Sequence, residues 1–201
     1  MSLSLNNILN PKCLDRSYWL PFPGTIFSLV NEKKIMAKIQ RITPNLWFNS
    51  EAEDAARFYT SIFKRSGIDK ISYYTRAGQD THKMPAGSVM TVEFHLGNMK
   101  FVALNGGPVF QFNEAVSFIV SCKNQREVDH YWDRLSEGGD PNAQVCGWLK
   151  DKFGLSWQIV PTALTEMLSD PDTEKAEHAM EAMLKMKKID IDELEAATQS
   201  V

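Results

Sequence analysis

The sequence predicts an α+β fold built from two related modules, each a strand, a helix and then further strands, followed by a C-terminal helical tail. Two observations carry this prediction. Apolar residues recur at helical spacing in two separate segments, and each segment is followed by short runs in which apolar and polar residues alternate as in half-buried strands. With 201 residues and 43% apolar content, the chain is long enough to bury a sizeable core.

The first module starts with a strand-like run from Ile42 to Asn49. Ser50 is the predicted N-cap of a helix that reaches about Phe63. The apolar stripe of this helix is formed by Ala55, Phe58, Tyr59 and Ile62. Three strand candidates follow, at Ile68 to Arg76, Ser88 to Leu96 and Met99 to Leu104. Gly97-Asn98 predicts a tight hairpin between the last two.

The second module repeats this order. A strand from Ala115 to Cys122 precedes Asn124, a predicted N-cap, and a helix that Gly138-Gly139 ends near Glu137. Gln144 to Lys150 and Leu155 to Val160 form a final hairpin. Laying Leu46 to Ile62 over Ile119 to Leu135 without a gap aligns the two helix stripes, with Val128, Tyr131, Trp132 and Leu135 as the second stripe. The body of the chain is therefore predicted to be an internal repeat.

The repeat sets the domain boundaries. Residues 1 to 38 form an N-terminal extension that we expect to be poorly ordered, and residues 39 to 161 form the two-module domain. Module 1 covers about 39–107 and module 2 about 115–161. Residues 162 to 201 are the tail, in which Ser169-Asp170-Pro171 predicts a helix start. We expect its apolar face, which favours core or dimer packing over a binding surface, to be Ala176, Met180, Met183, Leu184 and Lys187.

Composition excludes two classes of partner. A net charge of -3 and a pI near 5.8 provide no basic surface for nucleic acid. The longest apolar stretch, from Tyr18 to Val30, contains two prolines and is too short to span a bilayer, so no membrane partner is predicted. Cys13, Cys122 and Cys146 form no CxxC motif, which favours a reducing, cytoplasmic location.

Two strand-helix-strand modules of this kind resemble the vicinal oxygen chelate superfamily, which includes glyoxalase I and bleomycin-resistance proteins. Four strings are similar to its PhnB-like branch, whose members are labelled 3-demethylubiquinone-9 3-methyltransferase domains. They are PNLWFNSEAEDAARFYTSIF, FVALNGGPVFQFNEAVSFIVSC, CGWLKDKFGLSWQIVP and EAMLKMKKIDIDELEAA. The resemblance implies two βαβββ modules whose curved mixed sheets form a cup with helices outside. The cup is completed within one chain or across a homodimer, and we expect a homodimer.

In metal-using members of the superfamily, four side chains project into the cup. Carried onto this chain, the first-strand positions fall on Pro44 and Ser117, and the last-strand positions on Gln158 and on either Ala103 or Asn105. Such a set lacks the imidazole, thiolate and carboxylate ligands that zinc or nickel needs, so we predict no metal. A displaced site using Glu93, His95 and His82 is the alternative.

The methyltransferase label implies S-adenosylmethionine. Most such enzymes hold it at a glycine-rich turn after the first strand of a doubly wound sheet, and no GxGxG turn occurs in this sequence. We therefore predict no cofactor, and whether the protein is an enzyme stays open.

We predict that the cup binds a small molecule without the metal of its relatives. The candidate ligand-binding residues are Trp47, Asn105, Ser117, Cys146, Trp148 and Gln158. Trp157 follows the opposite face of its strand and is expected to pack beneath a helix. No catalytic residue is assigned. The alternatives are an enzyme acting through hydrogen bonds from Gln158, Asn105 and Ser117, including the methyl transfer that the label implies, and an interaction protein that works through its tail helix.

Overall fold

A computed structural model describes residues 40–199, so the expectation for residues 1 to 38 lies outside the part that can be compared. Module 1 consists of β1 (Asn45–Phe48), α1 (Ala52–Ile62), β2 (Gly67–Tyr73), the short α2 (Gln79–His82), β3 (Val89–Leu96) and β4 (Met99–Asn105). Module 2 consists of β5 (Ser117–Cys122), α3 (Gln125–Ser136), a 3-10 turn (Pro141–Ala143), β6 (Trp148–Lys150) and β7 (Ser156–Pro161). The tail contains α4 (Thr162–Leu168), α5 (Thr173–Lys185) and α6 (Ile191–Gln199).

Both modules place their last strand between their first strand and the strand before it, which confirms the fold class. Sheet A has the order β1-β4-β3-β2 and sheet B the order β5-β7-β6, and in each the first strand runs parallel to the last. The hairpin at Gly97-Asn98 is confirmed, since Leu96 pairs with Met99. Module 2 differs in one respect: between α3 and β6 the described chain forms the 3-10 turn instead of a second strand.

The predicted helix stripes are confirmed in both modules, but the start of α1 differs from the prediction. Ser50 is not the N-cap: that position is Glu51, whose side chain makes no cap bond. The free backbone N–H of Ala52 instead donates to Oδ1 of Asn105, at 2.8 Å. Asn105 reaches it because it pairs with Phe48 at the end of β1, directly beside the helix start. In α3, by contrast, the side chain of Asn124 caps the helix as predicted.

The helix-covered faces of the two sheets share one core. The ring of Phe101 in β4 lies 5.3 Å from that of Phe118 in β5, and Tyr59 in α1 lies 5.4 Å from Trp157 in β7, centroid to centroid. Trp157 is thereby buried as predicted. The opposite faces of both sheets turn away from this core because side chains alternate along a strand. We call them the open faces. The open face of sheet B is formed by Ser117, Ile119, Ser121, Trp148, Lys150, Ser156, Gln158 and Val160. At one end of this face, Val160 packs against a small core formed by the tail.

A buried carboxylate joins the two modules. Asp151, which is 2% exposed in the turn between β6 and β7, accepts hydrogen bonds from the hydroxyl of Tyr59 and from Nε1 of Trp157, both at 2.8 Å. The backbone N–H groups of Phe153 and Leu155 donate to its other oxygen. Burial raises the pKa of Asp151, against the effect of these four donors, and it raises the pKa of Tyr59 well above its usual value. Tyr59 is therefore protonated at neutral pH and donates to Asp151.

The tail is fixed to module 2 by backbone and side-chain hydrogen bonds. The N–H groups of Cys146 and Gly147 donate to the carbonyls of Met186 and Lys187, both at 2.8 Å. The amide of Gln125 donates to the carbonyl of Ile189 and accepts from the N–H of Ile191. No helix within residues 40–199 is long and apolar enough to cross a membrane.

The predicted apolar face of the tail helix is partly wrong. Met180 and Leu184 are exposed, whereas Ala179 is buried and Met186 belongs to a small core formed with α4 and α6. The amphipathic pattern is weak in α5. The helix therefore packs against α4 and α6 through residues that lie one position before the predicted ones.

We expect Tyr59→Phe to lower the free energy of unfolding by about 1–3 kcal/mol, because it leaves a buried carboxylate with one donor fewer. Urea denaturation measures this. Tyr73→Phe is the matched control, since the side chain of Tyr73 is 54% exposed and makes no hydrogen bond in the described structure. Equal effects of the two substitutions would contradict the role given to Asp151.

Candidate functional site

The open face of sheet B holds the clearest polar constellation. Nε2 of Gln158 donates to Oγ of Ser117 at 2.8 Å. The strands bring them together because β5 and β7 are parallel and in register, with Ile119 opposite Gln158. Trp148 lies opposite Gln158 on the other side, in β6. Three of the six predicted residues, Ser117, Trp148 and Gln158, therefore share one face.

This pair leaves hydrogen-bonding capacity for a further group. The hydroxyl of Ser117 still has its proton to donate, and no described residue donates to Oε1 of Gln158. The hydroxyl of Ser156, on the same face, is buried and has no hydrogen-bond partner among residues 40–199. The groups that can bind a polar atom from outside the chain are therefore the hydroxyl of Ser117 and Oε1 of Gln158.

The surroundings of the pair are apolar and locally neutral. Ile119 is 63% exposed beside it. The ammonium of Lys150, at the end of the same face, forms an ion pair with Glu114, and this contact lowers the pKa of the Glu114 carboxyl. The face therefore offers hydrogen bonds and apolar surface in place of a strong charge.

Trp47 lies in β1 of sheet A, whereas Ser117 and Gln158 lie in sheet B. Its Nε1 donates to the carbonyl of Gly107 at 2.9 Å, and its ring packs edge-on against Phe110 at 5.0 Å. The indole lies so close to Gly106 that a Cβ there would come within 2.1 Å of it, which only glycine permits. Trp47 therefore packs against the start of the segment that links the modules.

Both polar atoms of the Asn105 side chain form hydrogen bonds within the fold. Its Oδ1 accepts from Ala52, its Nδ2 donates to the carbonyl of Val89, and its side chain is on the helix-covered side of sheet A. It contributes no free donor or acceptor to an open face.

Cys146 is in a turn and not in a strand. The predicted strand from Gln144 begins only at Trp148, because Cys146 and Gly147 have φ values of 50° and 82° and form a two-residue turn closed by hydrogen bonds between Val145 and Trp148. Such left-handed geometry at both central positions is typical of type I′ turns. Cys146 and Trp148 consequently do not share one strand face.

The repeat alignment is correct for the helices and displaced by one residue for the first strands. Three residues connect β1 to α1, whereas two connect β5 to α3. Leu46 is therefore equivalent to Val120, both buried, and the module 1 position equivalent to Gln158 is Val102. Neither Ala103 nor Asn105 lies on the open face.

The residues present do not fit a superfamily metal centre. Val102 supplies no ligand atom, and Ser117 and Gln158 alone are weak ligands. Within residues 40–199 no group of three or more His, Cys, Asp or Glu side chains is arranged to hold a metal ion. The two histidines of the alternative site contact other residues: Nδ1 of His95 bonds to Asp69 at 2.9 Å, and the ring of His82 lies against Tyr74.

The comparisons with known proteins decide the family. The family model described as 3-demethylubiquinone-9 3-methyltransferase matches residues 40–160. The chain belongs to this family. It is a PhnB-like member of the vicinal oxygen chelate superfamily, as the sequence strings predicted.

Three solved structures are similar to part of this chain. A PhnB protein from Bacillus cereus is 33% identical, with a TM-score of 0.52 over 61% of this chain and 99% of its own. Protein PA1353 from Pseudomonas aeruginosa is 19% identical, with a TM-score of 0.45 over 60% and 96%. The fosfomycin resistance protein FosX from Mesorhizobium loti is 16% identical, with a TM-score of 0.46 over 66% and 99%. None of the curated proteins matches the chain.

S-adenosylmethionine does not fit the described part of this PhnB-like chain. The turn after β1, Asn49 to Glu51, contains no glycine, and the helix start that would face a ligand there is capped by Asn105. Sheet A is also not doubly wound, since only β1 and β4 are parallel. Residues 40–199 therefore contain no glycine-rich site for the S-adenosylmethionine that the family's description implies.

The two described cysteines of this PhnB-like protein should differ in reactivity. Cys122 is fully buried, and burial raises the pKa of its thiol to about 12, whereas Cys146 is half-buried. Because the thiolate is the nucleophile, we expect iodoacetamide at neutral pH to modify Cys146 and to spare Cys122. Peptide mapping by mass spectrometry tests this. Equal modification of both in the folded protein would contradict the burial of Cys122.

Proposed function

We propose that this protein binds a small molecule on the open face of sheet B, with Ser117, Gln158 and Trp148 as contacts. The observation that carries the proposal is the hydrogen bond between Gln158 and Ser117 on an uncovered sheet face. It holds both side chains in place while a donor and an acceptor stay free.

The surroundings favour a partly apolar molecule with a carbonyl or hydroxyl group. Ser117 would donate to its oxygen, and Trp148 and Ile119 would cover its apolar part. Aromatic surfaces with a few placed polar groups are typical of small-molecule sites. Quinones and aromatic ketones belong to this class.

Enzymatic chemistry, including the methyl transfer named in the family's description, is the second candidate. A reaction on this face would depend on Ser117 and Gln158 stabilising charge by hydrogen bonding. No described carboxylate or imidazole hydrogen-bonds to either side chain, so a strong general base is missing at the pair. This favours binding over fast catalysis.

We also propose that a second copy of the chain completes the cup. Within one chain the open faces point away from the shared core, and β5 lies at an edge of sheet B. Ile119 in this strand and the preceding Val116 are 63% and 64% exposed. An apolar edge of this kind is suited to pairing with another copy. The unpaired cysteines are in keeping with a cytoplasmic dimer.

A thermal-shift screen with quinones, aromatic ketones and antibiotics should identify a ligand, and calorimetry then tests the site. We expect Ser117→Ala and Gln158→Leu each to weaken binding by roughly tenfold, because each removes a hydrogen bond from a desolvated site. Ser61→Ala is the control, since Ser61 is exposed on α1 of the other module and lies outside sheet B.

Three outcomes would contradict parts of this proposal. An absence of any shift across the panel would contradict the ligand class, and unchanged affinity in both variants would contradict the site. A clear shift with S-adenosylmethionine alone would restore the methyltransferase function.

The dimer is tested by sedimentation velocity. We expect the wild type to sediment as a dimer and Ile119→Lys to sediment as a monomer, because the substitution places a charge in an apolar interface. Ser61→Lys, on the exposed side of α1, is the control and should stay dimeric. A monomeric wild type would contradict the proposal.

A further inference from the structure

A cleft lies apart from the Ser117–Gln158 pair. It opens between the end of β1, the linker that follows β4 and the turn between β6 and β7, and its volume is about 470 Å³. Ligand pockets in proteins range from about 300 to 1,000 Å³, so the cleft is large enough for a small organic molecule.

Aromatic rings form the walls of the cleft. They belong to Trp47, Phe48, Phe110, Phe112 and Phe153. The rings support one another in edge-on contacts, with Phe48 5.3 Å from Phe112 and 6.1 Å from Phe153 between centroids. Phe110 is nevertheless 62% exposed at the cleft. A flat apolar molecule would cover this ring.

The lining of the cleft contains one positively charged side chain, Lys152, and one negatively charged side chain, Glu51. The ammonium of Lys152 lies 4.3 Å from the ring centroid of Phe58 and 5.3 Å from that of Phe153, and no described carboxylate forms an ion pair with it. The only acidic residue of the lining, Glu51, has an oxygen that already accepts the N–H of Ser50, at 2.8 Å. Neither Glu51 nor Lys152 forms an ion pair among residues 40–199, but the carboxylate of Glu51 has a hydrogen-bond donor, whereas the ammonium of Lys152 contacts only aromatic rings.

We infer that this cleft binds an aromatic acid, a flat ring system carrying a carboxylate. The ring lies among the aromatic walls, edge-on or stacked as aromatic pairs prefer. The carboxylate pairs with the ammonium of Lys152, which the rings of Phe58 and Phe153 hold at the mouth. Trp47, predicted from the sequence as a ligand contact, thus serves this cleft and not the open face of sheet B.

Calorimetry with naphthoate, and with its uncharged methyl ester as the matched probe, tests the inference. We expect naphthoate to bind more tightly than the ester and its affinity to fall with added salt. Lys152→Met keeps an unbranched apolar side chain against Phe58 and should weaken naphthoate binding at least about tenfold, the loss of one charge-assisted hydrogen bond. Lys123→Met, an exposed lysine in module 2, is the control and should change nothing.

The two sites are distinguished by their own variants. Gln158→Leu should leave naphthoate binding unchanged, and Lys152→Met should leave binding of a ketone or quinone unchanged. Equal affinity for acid and ester, an unchanged Kd in Lys152→Met, or no naphthoate binding at all would overturn the cleft. Loss of naphthoate binding in Gln158→Leu would also overturn it, by placing the acid on the open face of sheet B.

Discussion

The arrangement of this protein depends on one buried carboxylate. Asp151 closes the turn between β6 and β7 and accepts hydrogen bonds from α1 of the other module through Tyr59. A carboxylate without such donors would be very unfavourable in the core, so the contact fixes how the modules meet. Their helix-covered faces lie against one another, and the open faces are left outside.

That arrangement decides what the open faces can do. Sheet B presents Ser117 and Gln158 as a preformed polar pair, whereas the equivalent position in sheet A is Val102, which has no polar atom. A four-ligand metal centre cannot be assembled from these positions. The scaffold of the superfamily is retained, and sheet B carries a hydrogen-bonded pair on its open face.

The sequence predicted the parts that depend on local patterns. The helix stripes and the Gly97-Asn98 hairpin follow from periodicity and turn composition, and the closeness of Ser117 to Gln158 follows from the resemblance to the superfamily. The failures depended on contacts distant in sequence. Asn105 caps a helix that begins 53 residues earlier, and no local signal separates that use from a ligand contact. The alignment of the first strands failed for another reason. The turn before α1 is one residue longer than the turn before α3, so aligning the helices assigns every side chain of β1 to the wrong face.

The central claim is that a ligand occupies the open face of sheet B, and nuclear magnetic resonance tests it most directly. Trp148 lies on that face, while Nε1 of Trp157 is buried against Asp151. Titration with the tightest-binding ketone or quinone should shift the indole N–H signal of Trp148 and the side-chain amide signals of Gln158, and leave that of Trp157 in place. Binding that moves neither Trp148 nor Gln158 would contradict the account.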